Sequence, residues 1–177
     1  MIESKRLILR KMAHNDFNEL AKMLKDIDVM YAWEHTFSDE EITTWIDNHI
    51  RRYSQDGISY LLAIDKNTNQ VVGQFGLLHQ KIKDEKYWEI GYILRKAYWG
   101  KGYATEGAKA CIDYAFDVLN ADKVICAIRP QNTTSISVAK RLGMAKKGEF
   151  TKRCDGKDMV HDIFEINKPP IKNNRQP

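Results

Sequence analysis

One stretch of the chain, residues 87–107, constrains the fold more than any other. It begins with apolar side chains at every second position, which is the period of a β-strand with one face on a core. Two glycines, Gly100 and Gly102, interrupt this pattern. Apolar residues then recur at spacings of three and four, which indicates an amphipathic helix. The sequence therefore predicts a strand, a tight turn and a helix in immediate succession.

The turn between this strand and this helix has two interpretations. The first amides of a helix lack internal partners and carry the positive end of the helix dipole, so a glycine turn in front of them can hold a phosphate. The alternative is a tight connection in which a glycine adopts a positive φ angle. Neither a Walker loop nor a dinucleotide fingerprint fits, because Gly102 follows Lys101 and Thr105 stands in place of the third glycine.

The size and composition of the chain fit one domain. Its 177 residues, 43% of them apolar, can bury a sizeable core. A net charge of +4 without a clustered basic patch argues against a nucleic acid partner. No apolar run reaches the length of a membrane span, and the first residues lack the apolar stretch of a signal peptide. We therefore expect neither nucleic acid nor membrane as a partner.

The three cysteines indicate a reducing compartment. Cys111, Cys126 and Cys154 are odd in number, scattered, and without the spacing of a metal site. Two of them fall on predicted buried faces, where a cysteine behaves as a small apolar residue. We expect a cytoplasmic protein that has no metal site.

The remaining patterns predict an α+β chain. Strands are expected at residues 6–11, 60–64, 71–79, 87–94, 123–128, 144–150 and 159–166. Helices are expected at 16–26 behind Asn15 as cap, after the capping box Ser38–Glu41, after Gly102, and at 132–142 before Gly143. Strand 87–94, the central helix and strand 123–128 make a parallel crossover. We predict a single mixed, mostly antiparallel sheet of about six or seven strands with helices on both faces.

Turn residues and composition set the remaining boundaries. The segments 67–69 and 155–156 predict hairpin turns. Residues 168–177 contain two adjacent prolines and no apolar period, which predicts a flexible tail after a domain spanning residues 1–167.

The order W-G-K-G-Y-A-T-E resembles motif A of the GNAT superfamily of acyl-CoA N-acyltransferases, in the tryptophan variant typical of its RimJ/RimL (ribosomal-protein N-terminal acetyltransferase-like) branch. Gly102 and Ala104 match fixed positions, whereas Trp99 stands where most members carry Arg or Gln. S-K-R-L-I-L-R-K-M-A-H-N-D resembles the first strand and turn of that branch, and R-P-Q-N-T-T-S-I-S-V-A-K-R-L-G-M resembles its second motif. The resemblance covers most of residues 4–166.

This resemblance implies acetyl-CoA as the acyl donor, with coenzyme A as a product. The pantetheine arm would lie where the motif A strand parts from the next parallel strand, against the backbone of Ile93, Leu94 and Arg95. The turn would wrap the pyrophosphate with Trp99, Gly100, Lys101, Gly102, Tyr103, Ala104 and Thr105. Asn132 would contact cofactor or substrate. From the residues alone, Ile93 and Leu94 are equally an ordinary core strand, and Asn132 is a preferred helix cap.

The catalytic residues are harder to assign. Many GNAT enzymes place a tyrosine seven residues after this asparagine to protonate the leaving thiolate, but Ala139 occupies that position here. The resemblance places Ser135 near the coenzyme sulfur, and we take Ser135 as the substitute acid. Glu89 is the candidate general base, and a glutamate in a structural ion pair is an equal alternative. His79 and His161 are alternative bases.

The acceptor is the least constrained part of the prediction. In this branch the N-terminal helices select the substrate, so Trp33, Glu34 and Phe37 are candidate wall residues, and a structured loop is the alternative. The implied reaction is direct attack by a primary amine, either a protein N-terminus or a small molecule, in a ternary complex. A non-catalytic acyl-CoA-binding regulatory module is the alternative function. A homodimer is compatible with the resemblance, although no residue argues for one.

Overall fold

A computed structural model gives the fold and describes residues 1–154 and 156–170. Its strands are β1 (Ile2–Glu3), β2 (Leu7–Lys11), β3 (Tyr60–Asp65), β4 (Val71–Ile82), β5 (Glu85–Leu94), β6 (Lys123–Ile128), β7 (Ala145–Cys154) and β8 (Lys157–Asn167). Within the described residues they form one sheet in the order β1-β2-β3-β4-β5-β6-β8-β7. All neighbouring strands are antiparallel except β5 and β6, which are parallel. The predicted mixed, mostly antiparallel sheet is confirmed.

Helices cover both faces of this sheet. They are α1 (Phe17–Leu24), α2 (Asp39–Gln55), α3 (Tyr103–Asp117) and α4 (Thr133–Arg141). Consecutive side chains of a strand point to opposite faces. On β4, Gln74 accepts a hydrogen bond from Trp45 of α2 (3.0 Å), whereas the ring of Phe75 packs directly beneath Gly107 of α3. Helices α1 and α2 therefore lie on one face, and α3 and α4 lie on the other.

The start of the second helix was predicted correctly, and the start of the first was not. At α2, the Ser38 hydroxyl accepts from the Glu41 amide (3.2 Å), and the Glu41 carboxylate accepts from the Ser38 amide (2.7 Å). Asn15, however, caps nothing: it lies in a short 3₁₀ turn, and α1 begins only at Phe17. The carboxylate of Asp16 accepts the Ala13 amide (2.8 Å), and this bond tightens the entry into the helix.

The strands are more numerous and longer than the periodicity indicated. The sheet has eight strands within the described residues, rather than six or seven, because β1 adds a short edge. The β4–β5 hairpin continues to the pair Ile82 and Glu85, where Lys83 takes a φ of 54° in the turn. Of the turn expected at 155–156, Asp155 lies outside the described residues, as do residues 171–177 of the expected tail.

The feature that positions the functional site is the parting of the two parallel strands. Only two residue pairs join β5 to β6, Trp88 with Val124 and Glu89 with Ile125. Beyond them β5 remains paired with β4 as far as Leu94, and β6 remains paired with β8 as far as Ile128. The two strands therefore diverge after Glu89 and leave a gap in the middle of the sheet, which we call the wedge.

Among the described residues, no helix combines the length and the apolar character needed to cross a membrane.

Candidate functional site

The two glycines of the turn both adopt left-handed backbone conformations. Gly100 has a φ of 71° and Gly102 a φ of 80°, and Gly102 is the residue that precedes the first turn of α3. Such angles are costly for residues with a Cβ atom. The tight-connection interpretation is thus confirmed, and it leaves the first amides of α3 directed at the space above the wedge.

The turn is anchored to the far edge of the sheet by residues that the sequence analysis did not single out. Arg6 on the approach to β2 donates to the Lys101 carbonyl (3.0 Å) and pairs with Glu106 (2.6 Å). Its guanidinium lies over the Tyr103 ring, 4.0 Å from the centroid. The Tyr103 hydroxyl in turn donates to Asp65 (2.6 Å). These four contacts therefore fix the start of α3 before any ligand arrives.

The Glu106 carboxyl in this group of contacts has a pKa that its surroundings shift. Burial alone would raise the pKa of its carboxyl. The hydrogen bonds from the Arg6 amide, the Ser4 hydroxyl and the Arg6 side chain outweigh burial, and the pKa lies below its ordinary value. The carboxylate is therefore ionised at neutral pH and holds the N-terminal segment against α3.

A cleft of about 380 Å³ opens between the end of β5, the glycine turn, α4 and the loop that follows α1. Most of the predicted cofactor residues meet there, together with Ser135 and Trp33. Those lining the cleft are Ile93, Leu94, Trp99, Gly100, Gly102, Tyr103, Ala104, Thr105 and Asn132. The structure thus brings residues as distant in sequence as Trp33 and Ser135 to one cavity at the mouth of the wedge.

Arg95 and Lys101 do not line the cleft. The Arg95 amide donates to the Val72 carbonyl (2.9 Å), and its guanidinium donates to the Val71 carbonyl (3.0 Å). Because successive amides of a strand point to opposite edges, the amides facing the wedge are those of Tyr92 and Leu94. The amides of Arg95 and Ile93 therefore face β4, and the role predicted for Arg95 as a coenzyme contact stays a prediction. The Lys101 ammonium folds back onto the Ala97 carbonyl (2.8 Å).

Asn132 serves as a cap and as a wall of the cleft. Its side-chain oxygen accepts the Ser135 amide (3.0 Å), which confirms the predicted start of α4. The same oxygen accepts the Tyr31 hydroxyl (2.6 Å), which ties the loop after α1 to α4. This second contact joins residues 101 positions apart, and no local pattern indicated it.

Ser135, Tyr31 and Tyr92 are among the hydroxyl-bearing residues that line this cleft, and each is a candidate donor of a proton to a leaving thiolate. The Tyr92 hydroxyl is directed at the Ser135 carbonyl (3.5 Å), and burial raises its pKa. Ala139 is 2% exposed on the buried side of α4, so this position supplies no acid. Tyr31 and Tyr92 were not among the predicted site residues.

Glu89 occupies the apex of the wedge. It belongs to the last β5–β6 pair and points to the α1–α2 face, on the same side of β5 as Gly91 and Ile93. Burial raises the pKa of its carboxyl, while the charge of Lys152 and a hydrogen bond from the Ala127 amide oppose that rise. Glu89 is therefore a buried carboxyl at the point where the two parallel strands part.

The loop between α1 and α2 is held by an arginine that the sequence analysis missed. Arg129, just beyond β6, donates to the Ala32 carbonyl (3.3 Å) and pairs with Glu34 (3.0 Å). Glu34 adopts a φ of 55°, a conformation unusual for a residue with a side chain, and does not line the cleft. Phe37 packs against the hydrophobic core and in an edge-to-face arrangement with Trp33.

The two alternative bases lie elsewhere. His79 stacks on Trp88 along the β4–β5 hairpin, with ring centroids 3.8 Å apart. His161 bonds the Met159 carbonyl (3.0 Å), and burial lowers its pKa. Neither lines the cleft. In the part of the chain that the structure describes, no three His, Cys, Asp or Glu side chains group in a way that could hold a metal ion.

Sequence comparison decides the family. Residues 6–145 match the family described as "Acetyltransferase (GNAT) domain". The chain belongs to the GNAT acetyltransferases. The resemblance noted in motif A is confirmed, and the membership makes this protein an N-acetyltransferase.

Curated relatives agree with the assignment. The uncharacterised protein YkkB of Bacillus subtilis is 36% identical over 140 residues, which are 78% of this acetyltransferase and 81% of YkkB. Spermidine N(1)-acetyltransferase of Escherichia coli is 27% identical over 158 residues, which are 88% of this chain and 77% of that enzyme.

Solved structures share the fold. A GNAT-family acetyltransferase from Bacillus anthracis superposes with a TM-score of 0.80 at 26% identity, covering 94% of this chain and 97% of its own. The ribosomal-protein-S5-alanine acetyltransferase from Vibrio fischeri gives a TM-score of 0.75 at 20% identity, covering 99% and 98%. The latter likeness concerns the fold alone.

Proposed function

We propose that this acetyltransferase moves an acetyl group from acetyl-CoA to a primary amine by direct attack in a ternary complex. The observation that carries the proposal is the cleft at the mouth of the wedge. It joins a glycine turn with free helix amides to a parted pair of parallel strands. These two features suit a ligand with a pyrophosphate at one end and an extended, hydrogen-bonding arm at the other.

The residues present fit coenzyme A. The first amides of α3, which follow Gly102, would bind the pyrophosphate, and the wedge-facing amides of Tyr92 and Leu94 would bind the pantetheine arm. Arg141 lines the cleft and donates to the Thr105 hydroxyl (3.1 Å), so its guanidinium stands where a phosphate would enter. Most of these contacts come from the backbone.

Acetyl transfer to an amine proceeds in a short series of steps. The neutral amine attacks the thioester carbon, the carbonyl oxygen takes up negative charge, the C–S bond breaks, and the thiolate leaves with a proton. Glu89 at the apex is the proposed acceptor of the ammonium proton, and its raised pKa suits that task. Ser135 stays the proposed donor to the thiolate, and Tyr31 is a second candidate on the same wall.

The acceptor is either a small amine or a protein N-terminus. The spermidine and ribosomal-protein acetyltransferases among the similar proteins support these two classes. Trp33 lines the cleft and is 41% exposed, which makes it the proposed wall between donor and acceptor.

The test combines calorimetric titration of the purified protein with acetyl-CoA and a thiol-release assay over amines and N-terminal peptides. We expect saturable binding, and thiol release that depends on an amine and yields the N-acetylated product by mass spectrometry. Absence of acetyl-CoA binding would refute the placement of the coenzyme. Binding without amine-dependent release across the panel would count against catalysis.

A further inference from the structure

The acceptor must approach the wedge from the face of α1 and α2. The cleft that fits coenzyme A is bounded by α3 and α4 on the opposite face, and the loop after α1 closes its other side. Glu89, the residue at the apex, also points to the α1–α2 face. The side chains around this approach therefore select the amine.

Carboxylates along this approach are already neutralised by partners. Glu34 pairs with Arg129 (3.0 Å) and lies 4.0 Å from the Lys157 ammonium. Asp39 pairs with Lys25 (2.5 Å). At the start of α2, the remaining acidic side chains are equally unsuited to a ligand.

Glu41 bonds His35 (2.7 Å) and the Ser38 amide (2.7 Å). Glu40 is exposed on the side of α2 opposite to the buried Ile42 and His49, because it lies about half a turn away from both around the helix. Glu165 faces the same side of the sheet and pairs with Lys123 (3.7 Å), so among the described carboxylates of this approach the one left for a ligand cation is Glu89, at the reaction centre itself.

The positive charge near the apex reinforces this arrangement. Lys152 on β7 is exposed, and its charge acts on the Glu89 carboxyl. Arg129, whose side chain is 14% exposed, fixes the loop beside it. A second ammonium group would meet the charge of Lys152, and Glu34 could not attract it because that carboxylate is already paired with Arg129.

An aromatic cluster of Trp33, Phe37 and Trp45 supplies an apolar wall instead. The three rings pack edge to face, with centroids 6.4 Å, 6.1 Å and 5.6 Å apart. Because each ring packs its edge or face against its neighbours, they leave no space between them for an ammonium ion, as an aromatic cage would. The cluster suits the carbon body of a ligand.

Resting on the proposed function, we propose that the acceptor is an amine whose reacting nitrogen is its only cation and whose body is apolar, and that diamines and polyamines are selected against. The negative charge of Glu89 serves the reacting amine, and the aromatic cluster receives the rest of the molecule. Among the two acceptor classes named above, this excludes the polyamines.

The sharpest probe is a pair of amines of equal length. Hexylamine and 1,5-diaminopentane differ only in a terminal methyl group against a terminal ammonium group. With acetyl-CoA saturating, we expect kcat/KM for hexylamine to exceed that for the diamine by about tenfold or more, because a charge is desolvated without a partner. Equal use of the two amines, or preference for the diamine, would overturn the inference.

Two variants test the cause of the preference. Arg129→Gln releases the Glu34 carboxylate, and the hexylamine preference should shrink several-fold. Lys66→Gln releases Glu3 (2.9 Å from Lys66) at the far edge of the sheet and should leave the preference unchanged. Because Arg129→Gln could also disturb the loop, Trp33→Glu places a carboxylate on an exposed position directly and should shift the preference the same way. No shift in either folded variant would overturn the electrostatic explanation.

The inference and the proposed function fail separately. Failure of acetyl-CoA to bind would refute the proposed function. Binding of acetyl-CoA together with turnover of spermidine but of neither alkyl probe would overturn the inferred acceptor class and leave the acetyl transfer standing.

Discussion

Replacing Gly102 by Asp and, in parallel, by Asn separates the backbone requirement of the glycine turn from its charge. Both side chains have nearly the same shape, and both must adopt the φ of 80° that Gly102 has now. A Cβ atom at this position would lie 3.5 Å from the Arg6 guanidinium, which is ordinary contact, so space does not limit either variant. The shared cost is conformational, about 1 kcal/mol of folding stability.

The difference between the two variants is one negative charge at the start of α3. At an effective dielectric of about 20, a carboxylate roughly 8 Å from a single phosphate charge is unfavourable by ~2 kcal/mol. Because 1.4 kcal/mol corresponds to a factor of ten, we expect the Asp variant to bind coenzyme A roughly 30-fold more weakly than the Asn variant. Moderate salt should reduce the difference, since exposed charges are screened.

The measurement is calorimetric titration of both variants with coenzyme A, together with thermal melts to check that their stabilities are alike. Desulfo-pantetheine fragments without phosphates serve as the control ligand and should not distinguish Asp from Asn. Equal affinity of the two variants for coenzyme A would refute the placement of the pyrophosphate at this turn.

Three further predictions follow from the same geometry. Glu89→Gln should lower kcat about 10²- to 10⁴-fold and abolish the acid limb of the pH–rate profile. In the unaltered enzyme this limb should lie above the usual carboxyl range, because burial raises the pKa of Glu89. An unchanged profile would exclude Glu89 as the base. Ser135→Ala should lower kcat more than it lowers acetyl-CoA affinity, and equal activity would leave Ser135 as a structural residue. Glu106→Gln should cost about 2 kcal/mol of unfolding free energy at neutral pH. Since the native pKa of Glu106 is lowered, that difference should disappear in acid as the pH falls through this lowered pKa, and a melt series that shows a constant difference would contradict the anchor.

Local signals predicted the framework of the site well. The two-residue period of residues 87–94, the glycines after it and the apolar helical spacing are each set by a few neighbouring residues. The prediction of a parallel crossover followed from them. The capping of α4 by Asn132 was equally local, since an N-cap bonds an amide three residues away.

The contacts that hold the site together could not be predicted in this way. Arg6 and Glu106 are 100 residues apart, and Tyr31 and Asn132 are 101 apart. With 28 basic and 24 acidic residues in the chain, charge alone does not say which arginine meets which glutamate. Asn15 failed as a cap for a local reason: the Asp16 carboxylate next to it bonded the Ala13 amide instead. The cytoplasmic location and the 1–167 domain boundary stay predictions.

Trp99 stands in motif A where most members of the family carry Arg or Gln, and its contacts indicate how this chain would bind a phosphate without that side chain. An indole has one N–H donor, and that of Trp99 donates to the Leu94 carbonyl (3.0 Å), at the point where β5 ends. The Trp99 side chain therefore has no donor left for a phosphate, whereas an Arg or Gln side chain at this position would have one. The Lys101 ammonium uses one of its three donors on the Ala97 carbonyl and does not line the cleft. Phosphate binding then depends chiefly on the backbone amides of α3 and on Arg141, so the conformation of Gly102 should matter more for coenzyme affinity than any side chain of the turn.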